Sequence, residues 1–155
     1  MVCNSCMNRL QNNERDTQGM RTTKQLTKNE SVKKRILIVD DERDCGFCIK
    51  IVLENCGFDV DFFMKPLEAL KDFKPGSYDL TILDIKMPEI NGFELYSQFK
   101  SKDAKNRTIF LTAVNNVEAY NTQLSEVYPK LGERLFVKKP VSNKDLLEHV
   151  YSIMN

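Results

Sequence analysis

Arg35-Ile-Leu-Ile-Val39 is a strand-length run with no polar alternation, and it leads straight into Asp40-Asp41-Glu42. An apolar run of this kind suits a strand buried on both faces, as in a parallel sheet covered by helices. The residues that follow, from about Arg43 to Cys56, set Cys45, Cys48, Ile49, Val52, Leu53 and Cys56 at i, i+3, i+4, i+7 and i+8 spacing. That stripe predicts a helix packed on the sheet, and Gly57 suits its C-terminal stop. The stretch therefore reads as one strand, an acidic turn and a crossover helix.

Working outward, the same unit repeats. Further strands are expected at Asp59 to Phe63, Leu80 to Leu83, Thr108 to Leu111 and Leu135 to Val137. Between them, Pro66 opens a short helix with Leu67, Leu70 and Phe73 facing inward, and Gly92 precedes one bearing Phe93, Tyr96 and Phe99. Val117, Tyr120, Leu124 and Val127 line a fourth helix, and Leu146, Leu147, Val150, Tyr151 and Met154 a last one. Five strands alternating with five helices, joined by right-handed crossovers, give an α/β doubly wound parallel sheet. Ligand sites in such sheets lie at the carboxyl ends of the strands.

The chain has 155 residues, with Lys+Arg 23 against Asp+Glu 22 and a formal net charge of +1. Bulk charge thus gives no reason to expect nucleic acid or an anionic membrane as a partner. The apolar runs are far shorter than the roughly 18 residues of a membrane span, so no membrane association is expected. The N-terminus lacks the apolar core of a secretory signal, and five cysteines are an odd number, so a reducing cytoplasm is the expected compartment. Residues Met1 to Ser31 carry no periodicity of 2 or 3.6 and read as a flexible arm, with the domain over 32–155. That division leaves no length for an output domain, so a stand-alone module is expected.

The strand ends carry chemistry. Asp40, Asp41 and Glu42 follow the first strand, Asp84 the third, Thr112 the fourth, and Lys138, Lys139 and Pro140 the fifth. Carboxylates converging at one sheet edge repel one another, and a hard divalent cation with oxygen ligands, Mg²⁺ first, relieves that repulsion. A carboxylate nucleophile, such a cation, an ammonium and a hydroxyl are the parts needed to place a phosphoryl group on an aspartate.

These residues, Asp40-Asp41, Asp84-x-x-x-Pro88-x-x-x-Gly92, Thr112-Ala113 and Lys139-Pro140, resemble in order those of the receiver domain of two-component response regulators, over roughly Lys34 to Asn155. The resemblance implies a flavodoxin-like (βα)5 sheet of order 2-1-3-4-5, with Asp84 as phosphoacceptor. It implies Mg²⁺ held by the Asp41 and Asp84 side chains, by Asp40 through water and by the Lys86 backbone carbonyl. Lys139, joined to Pro140 by a cis peptide, would pair with a phosphoryl oxygen, and Thr112 would swing to bond the phosphate. Phe136 matches the aromatic that turns inward with the Thr, although it lacks a tyrosine's hydroxyl. The donor would be a sensor histidine kinase or a histidine phosphotransfer protein. An effector protein of unknown identity would read the face made by the fourth predicted helix, the fifth strand and the last helix.

The resemblance implies a switch rather than an enzyme, with slow autodephosphorylation alone. Val114, two residues after Thr112, would slow that hydrolysis, and the segment Asn115 to Arg134 is longer than a helix and its loop require. A phosphorelay intermediate is an alternative, as is a phosphatase-type enzyme working through an aspartyl phosphate. The latter needs an Asp two residues after the nucleophile, where Lys86 stands. A degenerate receiver acting only as an interaction module would not need the complete set of site residues.

Other features have plainer readings. Asp residues after strands often cap helices, but Thr112 and Lys139 at the matching strand ends favour a site. Cys3-Asn-Ser-Cys6 and Cys45-Gly-Phe-Cys48 are too far apart for a compact zinc site, and the second pair lies on the inward helix stripe. Cys3 and Cys6 leave metal binding between chains, a redox disulfide or no role open. Phe47 and Ile51 fall opposite the core stripe, as an exposed pair for the phosphodonor or for the arm to cover. His149, the single histidine, falls away from the strand ends, and Lys33-Lys34-Arg35 is a solvated strand start.

Overall fold

The computed structural model describes residues 33–113 and 136–154. The strands are β1 (Arg35–Val39), β2 (Asp59–Phe63), β3 (Leu80–Asp84), β4 (Arg107–Thr112) and β5 (Phe136–Lys138). The helices are α1 (Arg43–Asn55), α2 (Pro66–Asp72), α3 (Gly92–Lys102) and α4 (Asn143–Met154). The proposed arm with Cys3 and Cys6, Val114, the helix expected over Val117 to Val127, and Leu135 lie outside the described residues. Among the described residues no helix is long and apolar enough to cross a membrane.

The strands form one parallel sheet of order β2-β1-β3-β4-β5. Register is continuous: Val39 lies beside Leu83, Asp84 beside Leu111, and Thr112 beside Lys138. Side chains alternate across the sheet and build two cores. Ile36, Ile38, Ile82, Ile109 and Leu111 pack with Ile49 and Leu53 of α1 and Leu146 and Val150 of α4. Leu37, Val39, Leu83 and Phe110 pack on the other face with Ala69 and Phe73 around α2 and with Leu95 and Phe99 of α3. Each such aliphatic side chain, fully buried, contributes about 1.5–3 kcal/mol from area removed from water. Burial on both faces explains why these strands lack polar alternation.

Two helix faces differ from the sequence reading. Leu67 is 47% exposed, because α2 seats itself through Pro66, Ala69 and Phe73, and the small Ala69 lets that line approach the sheet. Cys48 is exposed rather than inward. The buried line of α1 runs through Gly46, Ile49 and Leu53, and a Cβ on Gly46 would stand 2.3 Å from the Phe62 ring. This close approach centres the helix on Gly46 and turns Cys48 out. Phe47 and Ile51 are exposed, as their spacing predicts.

Candidate functional site

β1 and β3 are neighbours, so the residues at their carboxyl ends meet although they are far apart in sequence. Carboxylate oxygens of Asp40, Asp41 and Asp84 lie within 4.8 Å of one another. Asp40 is fully buried, and its backbone N–H donates to the Phe63 carbonyl at 3.1 Å. Its Oδ1 accepts the Glu42 backbone N–H at 2.9 Å, which tightens the turn into α1. Its Oδ2 is buried and faces the Lys139 ammonium. Asp84 ends β3 and is buried, while Asp41 lies nearer solvent.

Lys139 comes from the far side of the sheet. Its backbone N–H donates to the Thr112 carbonyl at 2.7 Å, and its peptide to Pro140 is cis, the expected isomer. Its Nζ lies 2.9 Å from Asp40 Oδ2, 3.1 Å from Glu42 Oε1 and 3.3 Å from Asp84 Oδ2. Thr112 is buried at the end of β4, and Lys86 is exposed two residues after Asp84. Phe136 is buried against Phe110, with ring centroids 5.4 Å apart, and lies 6.4 Å from Phe93. The aromatic thus already faces the core here.

The loop between β3 and α3 explains the spacing of Gly92 from Asp84. A Cβ on Gly92 would stand 2.2 Å from the Asp84 carbonyl oxygen, so only glycine lets α3 begin this close to the acidic residue. The Gly92 N–H donates to the Ile85 carbonyl at 3.0 Å, and Glu89 takes a positive φ of 70° to bring the chain round. Asn91 then starts α3 with a capping box, its side chain accepting from the Phe93 and Glu94 N–H groups while Glu94 answers the Asn91 N–H.

Electrostatically the site is short of positive charge. Burial pushes the Asp84 carboxyl above its ordinary range, Lys139 opposes that rise, and the nearby Asp40 and Asp41 add to it. Burial disfavours the Lys139 ammonium, but Asp40 and Asp84 outweigh it and hold the group firmly protonated. The Cys45 thiol is pushed up to about 11 by burial and then by Asp40, so it stays protonated at neutral pH. Three carboxylates with oxygens this close and a single ammonium among them form a donor set that fits a hard divalent cation.

The structure thus brings Asp40, Asp41, Asp84 and Lys139 together. It sets Thr112 in the strand beside them, its carbonyl bonded to the Lys139 N–H. Glu42 is the contributor whose place the sequence left without a role. Its signal was a glutamate at the helix start, where a shorter capping side chain is usual.

The pattern of the response regulator receiver domain matches residues 36–151. A CheY-like receiver domain protein from Methanospirillum hungatei is 30% identical with a TM-score of 0.68, over 79% of this chain and 94% of that one. The response regulator TrrA from Thermotoga maritima, solved in complex with Mg(2+)-BeF, is 36% identical with a TM-score of 0.65, over 77% and 98%. The transcriptional regulatory protein PcoR from Escherichia coli is 30% identical over 120 residues, 77% of this chain and 51% of its own length. The chain spans about half the length of the curated relatives it matches. Fold, sheet order and the match over residues 36–151 agree, and the chain belongs to the response regulator receiver domain family of two-component systems.

Proposed function

We propose that this chain is a phosphorylation-dependent signalling switch with Asp84 as its phosphoacceptor. The observation that carries the reading is the convergence of three aspartates on one buried lysine, with Lys139 Nζ 3.3 Å from Asp84 Oδ2. An Asp84 oxygen attacks the phosphorus of a phosphohistidine. The new Oδ–P bond forms as the P–N bond breaks, and the imidazole nitrogen leaves with the electron pair. Lys139 pairs with one phosphoryl oxygen and the Thr112 hydroxyl donates to another. Asp40, Asp41, Asp84 and the Lys86 carbonyl would hold Mg²⁺, which supplies charge neutralisation on the phosphoryl oxygens.

The phosphodonor is a histidine kinase or a histidine phosphotransfer protein, and the exposed Phe47 and Ile51 on α1 offer it an apolar contact beside the site. The output is a change at β5 and α4, reported through Thr112 and Phe136 to an effector protein. Phe136 is already packed on Phe110, which favours Thr112 as the moving part. Incubation with phosphoramidate and Mg²⁺ followed by intact-mass measurement tests the reading. One phosphoryl group should appear on the wild type and none on Asp84→Asn. Label persisting in that variant would move the acceptor elsewhere.

A further inference from the structure

We propose that Glu42 is a positioning residue that holds Lys139 in the unphosphorylated protein and yields it to the incoming phosphoryl group. The inference rests on the reading of Asp84 as acceptor. An ammonium has three N–H donors. Oxygens of Asp40, Glu42 and Asp84 surround Lys139 Nζ at 2.9, 3.1 and 3.3 Å, so a phosphoryl oxygen must displace one of them.

The three differ in what release costs. Asp40 is buried and already bonded to the Glu42 N–H, and Asp84 is the nearly buried acceptor itself. The Glu42 side chain is 64% exposed, so water resolvates it as it leaves. Glu42 also occupies the N-cap of α1, where a side-chain oxygen ordinarily accepts N–H groups of its own helix, yet it makes no such bond. Its carboxylate reaches instead to a lysine 97 residues away in sequence. Glutamate has the length to bridge that gap from the cap position, and aspartate does not.

Glu42 then acts in two directions. It competes with the phosphoryl group for Lys139, and it adds negative charge that favours a cation at Asp40, Asp41 and Asp84. Glu42→Gln should lower the half-saturating phosphoramidate concentration about threefold at saturating Mg²⁺, the size expected of a partly exposed ion pair, with little change in maximal rate. With no donor present, calorimetric titration should show the Mg²⁺ dissociation constant of that variant about threefold higher. In Glu42→Asp the charge stays but the shorter side chain releases Lys139. The phosphoramidate shift should persist there, while Mg²⁺ affinity stays at the wild-type value.

Unchanged half-saturation in labelled Glu42→Gln protein would overturn the inference alone. A shift in Glu42→Gln that is missing from Glu42→Asp would reduce Glu42 to a source of background charge and overturn it as well. Wild-type protein that takes no label would overturn the acceptor reading together with this inference.

Discussion

The two ends of the sheet both carry charged clusters, and they are built on opposite terms. At the amino ends, Arg35 reaches Asp61 at 2.7 Å and Asp59 at 3.2 Å, and its guanidinium lies 5.0 Å from the Tyr78 ring centroid. The Tyr78 hydroxyl donates to Asp61 at 2.8 Å, and Asp79 takes both the Lys34 ammonium and the Arg35 N–H at 2.9 Å. Each carboxylate there has a cation within reach. At the carboxyl ends, Asp40, Glu42 and Asp84 share Lys139, with Asp41 beside them. The first cluster ties β1, β2 and the start of β3 together. The second keeps an excess of negative charge, with three carboxylates placed as a hard divalent cation would need them.

The comparison can be broken experimentally, and the largest effect is chemical. Asp84→Asn should abolish labelling by phosphoramidate, whereas Arg35→Met at the other end should leave labelling intact while lowering stability by about 1 kcal/mol. Gly92→Ala comes next. Its methyl would collide with the Asp84 backbone, so urea denaturation should show a loss of about 2–3 kcal/mol, together with weakened labelling. Added Mg²⁺ should stabilise the fold by about 2.7 kcal/mol at a hundred times its dissociation constant, and Asp84→Asn should remove most of that gain.

The smallest effect separates the two ends by sign. Asp84 in the metal-free protein has its carboxyl raised, chiefly by burial, so it binds a proton more tightly folded than unfolded. Its ionisation costs stability above the folded value, and that cost is relieved as pH falls through the folded value toward the ordinary 3.8. Asp79 behaves oppositely. Burial alone would raise it, but the Lys34 and Arg35 N–H bonds win and lower it. Its stabilisation is present above 3.8 and is lost as pH falls through the lowered folded value. Denaturation of Asp84→Asn and Asp79→Asn across pH 3–7 should therefore bend the stability profile in opposite directions relative to wild type. Profiles that bend alike would erase the distinction between the two clusters.

Much of this was legible because a parallel sheet covered on both faces writes its burial into local pattern. The runs Arg35 to Val39 and Leu80 to Leu83 are apolar without alternation because both faces are covered, and the polar residues that close them fall at one edge of the sheet. Helix faces were less legible. Leu67 and Cys48 satisfy helical spacing, yet which side of a helix touches the sheet depends on where the closest approach occurs, at Ala69 and at Gly46 beside Phe62. Small residues carry little hydrophobic signal and still decide that contact.

By itself the sequence determined the five strands, their parallel doubly wound class, and the residue types at each strand's carboxyl end, while the strand order came from the family resemblance. The first three follow from short-range periodicity and from the rule that parallel strands all end on the same side. Only the tertiary structure decided that Glu42 turns away from its own helix to meet Lys139, and that Gly92 must be bare for α3 to start against Asp84. Such contacts join atoms distant in the chain, and a few tenths of an ångström in strand and helix placement decide whether they form.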